Sequence, residues 1–195
     1  MPLRETGGEP RRRFAAQVWP EMRIIAGKWG GRRIEAPKGA GVRPTTDRVR
    51  EAWMSALHLR LPGATILDLF SGTGALGLEA LSRGAVRAVF VERASASIRA
   101  LRRNVDTLGA EEGVEIVRGD ALSYVAGLED LSFDLAFADP PYDTGFAGDL
   151  IRMHLRKPFA HELWVEHRWS EQLPDSPGLR TRRYGDTALT QSVCP

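Results

Sequence analysis

Along most of the chain, short apolar runs alternate with longer stretches in which apolar residues recur every three or four positions. The runs fall at 65–70, 86–91, 114–117, 133–138 and 163–166, each of strand length. Between them the clearest helix is expected over 93–108, where Ile98, Leu101, Val105 and Leu108 share one side. Two further strands, at 179–184 and 187–193, are expected to form a terminal hairpin across Gly185 and Asp186. The alternation predicts an α/β fold, a mostly parallel seven-stranded sheet with helices on both faces.

The first third of the chain is patterned differently. Residues 1–21 carry Gly, Pro and charge without periodicity and read as a flexible N-terminal extension, with Met22 an equally good start. From Arg23 to Pro37 the order is strand, Gly-rich turn, strand, which predicts a small β-hairpin with Lys28, Trp29, Arg32 and Arg33 near its tip. Cations beside an aromatic ring suit a nucleic-acid backbone and a base. A helix capped by Thr46 or Asp47 is expected next, with Val49, Trp53, Ala56 and Leu57 near one face, ending before Pro62 and Gly63. The expected units are therefore the extension 1–21, a basic hairpin and helix over 22–63, and a catalytic body over 64–195.

Charge supports that division. The net charge of the 195 residues is only +2, yet residues 1–60 carry a balance of +7 and the remainder −5. A basic end on a mildly acidic body suits an anionic partner met by one end of the molecule. No apolar run approaches the roughly 18 residues a membrane span needs. Cys194 is the only cysteine, which excludes an internal disulfide framework and a cysteine zinc site. His58, His154, His161 and His167 show no metal-ligand spacing with carboxylates and read as structural or surface residues. A cytoplasmic, monomeric protein without metal or membrane partner is expected.

Two loops carry chemistry. The strand ILDLF runs into SGTGALG, so Gly72, Gly74 and Gly77 stand at dinucleotide-fingerprint spacing, with Glu92 20 residues after Gly72. That spacing alone admits a nicotinamide or flavin enzyme as well as one using S-adenosylmethionine. Asp68, inside the strand, favours the second, because a carboxylate there repels a pyrophosphate but suits an ammonium or sulfonium. Asp68, Glu92 and Asp120 stand near the ends of three successive strands and converge on one crevice. The second loop is Asp139-Pro140-Pro141-Tyr142. Its prolines remove two backbone donors, so the Asp139 carboxylate and the Pro140 carbonyl can accept both hydrogens of an exocyclic amine. Tyr142 offers a face on which a planar base can stack.

Longer blocks carry a resemblance. RIIAGKWGGRRIEAP from Arg23, RPTTDRVREA from Arg43, LDLFSGTGALGLEALSRGA from Leu67 and DPPY resemble the bacterial 16S rRNA guanine-N2 methyltransferases of the RsmD type over about residues 22–190. The resemblance implies a Rossmann-like class I fold and S-adenosylmethionine as methyl donor. It implies a guanine of 16S rRNA as target, of the guanine-966 type, within a partly assembled small ribosomal subunit. By position, Asp68, Ser71, Gly72, Gly74, Glu92, Asp120, Ala121 and Thr45 would hold the donor. Asp139, Pro140, Pro141 and Tyr142 would hold the guanine, and Lys28, Trp29, Arg32, Arg33, Arg43 and Arg48 would face RNA. Residues 1–21 and the ending TQSVCP depart from the family pattern. The alternatives are an adenine-N6 methyltransferase of DNA or RNA, and a noncatalytic RNA-binding assembly factor.

Overall fold

The computed structural model describes residues 22–35 and 47–194. The expected extension, Arg43, Thr45 and the Thr46 cap lie outside them, as does the side chain of Arg48. Nine strands and five helices follow one another within these bounds. β1 (Met22–Arg23) pairs with β2 (Arg33–Ile34), and α1 covers Asp47–Leu57. Then come β3 (Thr65–Leu69), α2 (Ala75–Ser82), β4 (Arg87–Glu92), α3 (Ser95–Leu108), β5 (Val114–Arg118) and α4 (Ala121–Ala126). The chain closes with β6 (Phe133–Ala138), α5 (Phe146–Arg156), β7 (Ala160–Arg168), β8 (Leu179–Tyr184) and β9 (Thr187–Val193).

The main sheet has the order β5-β4-β3-β6-β7-β9-β8. β3 to β7 run parallel, while β9 is antiparallel to both β7 and β8. The order reverses between β3 and β6, whose following loops diverge to opposite faces and leave a crevice at the strand ends. Those two loops are the glycine loop and the DPPY loop.

Alternation along β3 divides the core. Ile66 joins a cluster formed with α1, α2, α3 and the small hairpin, whereas Leu67 and Leu69 join the cluster formed with α4 and α5. Asp68 therefore points to the α2 face, where the period would otherwise place an apolar side chain.

The N-terminal hairpin is fastened to α2 by polar groups. Glu79, wholly buried, accepts the Ile25 N–H at 2.6 Å and the Ala26 N–H at 3.0 Å, and it pairs with Arg83 at 2.8 Å. Ser82 Oγ donates to the Ala26 carbonyl and accepts the Trp29 N–H, while its carbonyl accepts the Lys28 N–H. At Gly27, φ is +84° and a Cβ would sit 1.9 Å from the Ser82 carbonyl oxygen. Only glycine allows the turn to lie this close.

This attachment corrects the expectation for Trp29. Its ring is only 6% exposed and belongs to the shared core, so it is unavailable to stack on a base. The turn folds back onto α2, and burying the indole there gains more than leaving it in water. Lys28 stays exposed, with its ammonium 4.5 Å from the Trp29 ring centroid. Arg32 donates to the carbonyls of Leu108 and Thr107, at the negative end of α3, and Arg33 remains on the surface.

Replacing Glu79 with Ala strands two backbone N–H groups and a guanidinium. Urea unfolding should then show a loss of about 3 kcal/mol. Hydrogen exchange at Ile25 and Ala26 should accelerate more than exchange within the sheet.

Candidate active site

The crevice is built first by backbone conformation at the end of β3. Phe70 adopts φ +56°, a left-handed conformation costly for a non-glycine residue, and its ring stacks on Phe146 with centroids 5.4 Å apart. Gly72 and Gly74 follow with φ of +54° and +81°. The glycines serve different ends. A Cβ on Gly72 would meet nothing nearer than the Phe70 carbonyl oxygen at 4.0 Å, so this part of the loop is open. A Cβ on Gly74 would lie 2.3 Å from Leu101 Cδ1, and one on Gly77 2.4 Å from Phe90 Cε1. Those two let α2 pack closely on the sheet and on α3.

Carboxylates hold this loop. Asp68 is 1% exposed, and its Oδ2 accepts the Gly77 N–H at 2.9 Å. Burial pushes its carboxyl up to about 7; the Gly77 bond opposes that, while the nearby charges of Asp139 and Glu92 add to it. Glu92 accepts the Gly72 N–H at 2.9 Å and the Ala94 N–H at 2.7 Å, tying the loop to the start of α3. Ser71 is buried, and its Oγ has no hydrogen-bond partner among the described residues. An open glycine surface, an orphaned hydroxyl and three neighbouring carboxylates fit a ligand with hydroxyl and cationic groups. They do not fit a pyrophosphate.

Asp120 is exposed and caps α4, its Oδ1 accepting the Ser123 N–H and the Ser123 hydroxyl at 2.9 Å each. The Ser123 backbone bond is the largest influence holding its carboxyl below the ordinary range. Ala121 follows it, buried in the α4 and α5 cluster.

On the other side of the switch point, β6 delivers Asp139, half-buried, then buried Pro140 and exposed Pro141. Thr144 Oγ1 donates to the Pro141 carbonyl at 2.6 Å and closes the turn. The Tyr142 hydroxyl donates to Glu166 Oε1 at 2.8 Å and lies 2.9 Å from Thr187 Oγ1. Burial is the main cause pushing this phenol up to about 12, so it remains protonated. Arg168 lies over the Tyr142 ring, with its guanidinium carbon 5.2 Å from the centroid, and pairs with Asp143 at 3.3 Å.

Glu166, Thr187, Arg168 and Phe70 were not singled out from sequence. The roles of the first three depend on β9 placing Thr187 opposite Arg168 and Leu189 opposite Glu166, a register no local motif announces, and that of Phe70 on its stack with Phe146. The one available signal for Glu166 was a carboxylate directly after the apolar run Leu163, Trp164 and Val165. His154 and His167 are buried hydrogen-bonding residues, pairing with Ser192 and Thr190 respectively. Burial lowers the pKa of both rings.

Because Asp68 keeps its proton in the folded protein to about pH 7, this group weakens the fold as pH rises from about 4 to 7. Asp68→Asn should remove that dependence. The variant should gain on the parent by on the order of a few kcal/mol between pH 5 and pH 8, read by chemical denaturation at each pH. Tyr142→Phe should cost about 2 kcal/mol in the same measurement, since Glu166 and Thr187 both lose a partner.

The model of the conserved hypothetical protein 95 family matches residues 22–191. The Escherichia coli (strain K12) protein named ribosomal RNA small subunit methyltransferase D is 40% identical over 133 residues, 68% of this chain and 66% of that protein. The alignment thus spans slightly less than two thirds of that relative's length. The provisionally named rRNA methyltransferase YlbH of Bacillus subtilis is 33% identical over 86% of this chain and 96% of its own. A solved Escherichia coli structure, provisionally titled methyltransferase yhhF, superposes with a TM-score of 0.75 at 33% identity, covering 90% of this chain and 99% of that one. No described helix is long and apolar enough to cross a membrane. With this fold, these loops and matches over most of its length, the chain belongs to the conserved hypothetical protein 95 family of RsmD-like proteins and has the Rossmann-like class I methyltransferase fold.

Proposed function

We propose that this protein transfers a methyl group from S-adenosylmethionine to the exocyclic N2 amine of a guanine in 16S rRNA, of the guanine-966 type, on the assembling small ribosomal subunit. The observation that carries the reading is the placement of the open glycine loop and the DPPY loop on either side of one topological switch point. The name of the Escherichia coli relative, which refers to small-subunit rRNA, supports the same substrate class.

Bound S-adenosylmethionine supplies an electrophilic methyl on a positively charged sulfur. Gly72 would give it backbone room, the Ser71 hydroxyl would find a partner in it, and Glu92 is assigned to its hydroxyls. Asp68 braces the loop from beneath through its bond to the Gly77 N–H, and Asp139 and Glu92 would make the crevice favourable to a cation. Ala121, Asp120 and Thr45 are assigned to the adenosine side on the strength of the motif positions.

The guanine must leave its stack to reach this crevice, at a cost on the order of a few kcal/mol. Tyr142 presents a ring whose tilt is fixed by Glu166 and Thr187. Asp139 and the Pro140 carbonyl accept the two amine hydrogens, which turns the nitrogen lone pair toward the donor side. As the new N–C bond forms and the methyl–sulfur bond breaks to leave a neutral thioether, the nitrogen would become acidic and Asp139 would take its proton or pass it to water. Positioning and electrostatics carry the rate enhancement. Lys28, Arg32, Arg33, Arg43 and Arg48 supply positive charge for the phosphates of the flanking RNA.

Asp139→Ala should lower kcat by at least about a thousandfold while calorimetric affinity for S-adenosylmethionine stays within about threefold. Activity retained alongside lost donor binding would overturn the assignment. Unmethylated small subunits and deproteinised 16S rRNA should accept label as N2-methylguanine, and duplex DNA should not. N6-methyladenine as product, or donor binding without transfer to any substrate, would replace this reading.

A further inference from the structure

In the proposed reaction, Asp139 and the Pro140 carbonyl cannot choose between bases, because adenine offers two amine hydrogens on N6 just as guanine does on N2. The bases differ two ring atoms away. When the reacting amines are superposed with N1 on the same side, guanine carries its O6 acceptor where adenine has only C2–H. A hydrogen-bond donor fixed on that side of the amine would be satisfied by guanine and left unpaired by adenine, which is how a polar site discriminates strongly.

Arg168 stands where such a donor is needed. Alternation puts Phe137, Trp164 and Leu189 in the core cluster shared with α1. Glu166, Arg168 and Thr187 lie on that same face, since Leu189 pairs with Glu166 and Thr187 with Arg168. Asp139 follows Phe137 by two residues, and its charge acts on Asp68. β7 runs parallel to β6 with Val165 opposite Ala138, so Arg168 emerges beside the DPPY loop. Its backbone is fixed by the ladder to Thr187 and by its carbonyl, which accepts the Glu171 N–H at 2.9 Å.

The side chain is only partly used. Its guanidinium lies over the Tyr142 ring, on which the base is proposed to stack, with the carbon 5.2 Å from the centroid. The ion pair to Asp143 engages Nη2 alone, at 3.3 Å, and Nε is buried with no hydrogen-bond partner among the described residues. Asp143 itself adopts φ +60°, a left-handed conformation uncommon outside glycine. A cation resting on a ring beside an exposed carboxylate accounts for neither the unsatisfied Nε nor the strained partner. Both belong to sites where a ligand completes the hydrogen bonding.

We propose that Arg168 selects guanine: its guanidinium donates to O6 of the base held by the DPPY loop, and Asp143 steers it there. This rests on the guanine reading given above and names the side chain that enforces it.

The test compares two templates in single-turnover methyl transfer by the full chain. One is deproteinised 16S rRNA with guanine at the position the parent methylates; the other carries 2-aminopurine there, which keeps the N2 amine but lacks O6 and the N1 proton. The parent should favour guanine. Arg168→Met should lower transfer to guanine about tenfold and leave transfer to 2-aminopurine within twofold, with donor affinity unchanged. Arg168→Lys, which keeps the charge but not the fork, should recover part of the loss on guanine only. An equal fall on both templates would mark a phosphate contact or a slackened Tyr142 and overturn the assignment, as would parent-like transfer to both. A parent that methylates adenine, or no base of 16S rRNA, would remove the guanine reading itself, so the two failures are told apart. If Arg168→Met fails to fold, Asp143→Asn decides: the guanine preference should narrow about threefold, and an unchanged preference would overturn the proposal.

Discussion

The bond between the Gly77 N–H and the Asp68 carboxylate sets the geometry on which the crevice depends. It lies beneath the glycine loop, where a strand-facing position would ordinarily be apolar. A carboxyl pushed up to about 7 is a cost the fold carries at neutral pH. What it secures is the position of α2, which enters the core so tightly that Gly77 cannot carry a side chain against Phe90. With α2 fixed, the turn before it is fixed too, and strain at Phe70 can be sustained because Phe146 covers its ring.

The acidity of the chain after residue 60 follows from the same economy. Asp68, Glu79, Glu92 and Glu166 each accept hydrogen bonds that position a functional segment: the loop, the N-terminal hairpin, the loop again and Tyr142. Only some of the charge lines the crevice. The remainder serves as internal acceptors for backbone N–H groups and a phenol that would otherwise be buried without partners.

Period and punctuation in the sequence suffice for the architecture. The strands at 133–138, 179–184 and 187–193 match the structure, and the helix ending at Leu108 begins two residues later than expected. β7 is longer than its apolar run because ladder pairing continues past it, with β6 at Ala160 and with β9 at Glu162, His167 and Arg168. The glycine and DPPY loops were legible because each is a contiguous motif whose chemistry follows from residue type. Trp29 was misread, since its cationic neighbours are visible locally whereas Ser82, 53 residues away, is what draws the turn inward. The Tyr142 latch escaped notice for the same reason, as Thr187 lies 45 residues beyond it. Asp120 shows a third case: its position after β5 was evident, but only the structure shows its side chain engaged as a helix cap.

The attachment of the hairpin to α2 also bears on how the chain can be made. Ile25 finds its acceptor 54 residues downstream, on a helix that stabilises only once it lies against β3 and β4. During synthesis the basic N-terminal segment therefore leaves the ribosome well before anything exists to receive it. Trp29 and Ile24 wait in solvent until the first βαβ unit has closed. A segment made before α2 thus docks only after it, and a truncated chain ending before Glu79 lacks the carboxylate that accepts the Ile25 and Ala26 N–H groups.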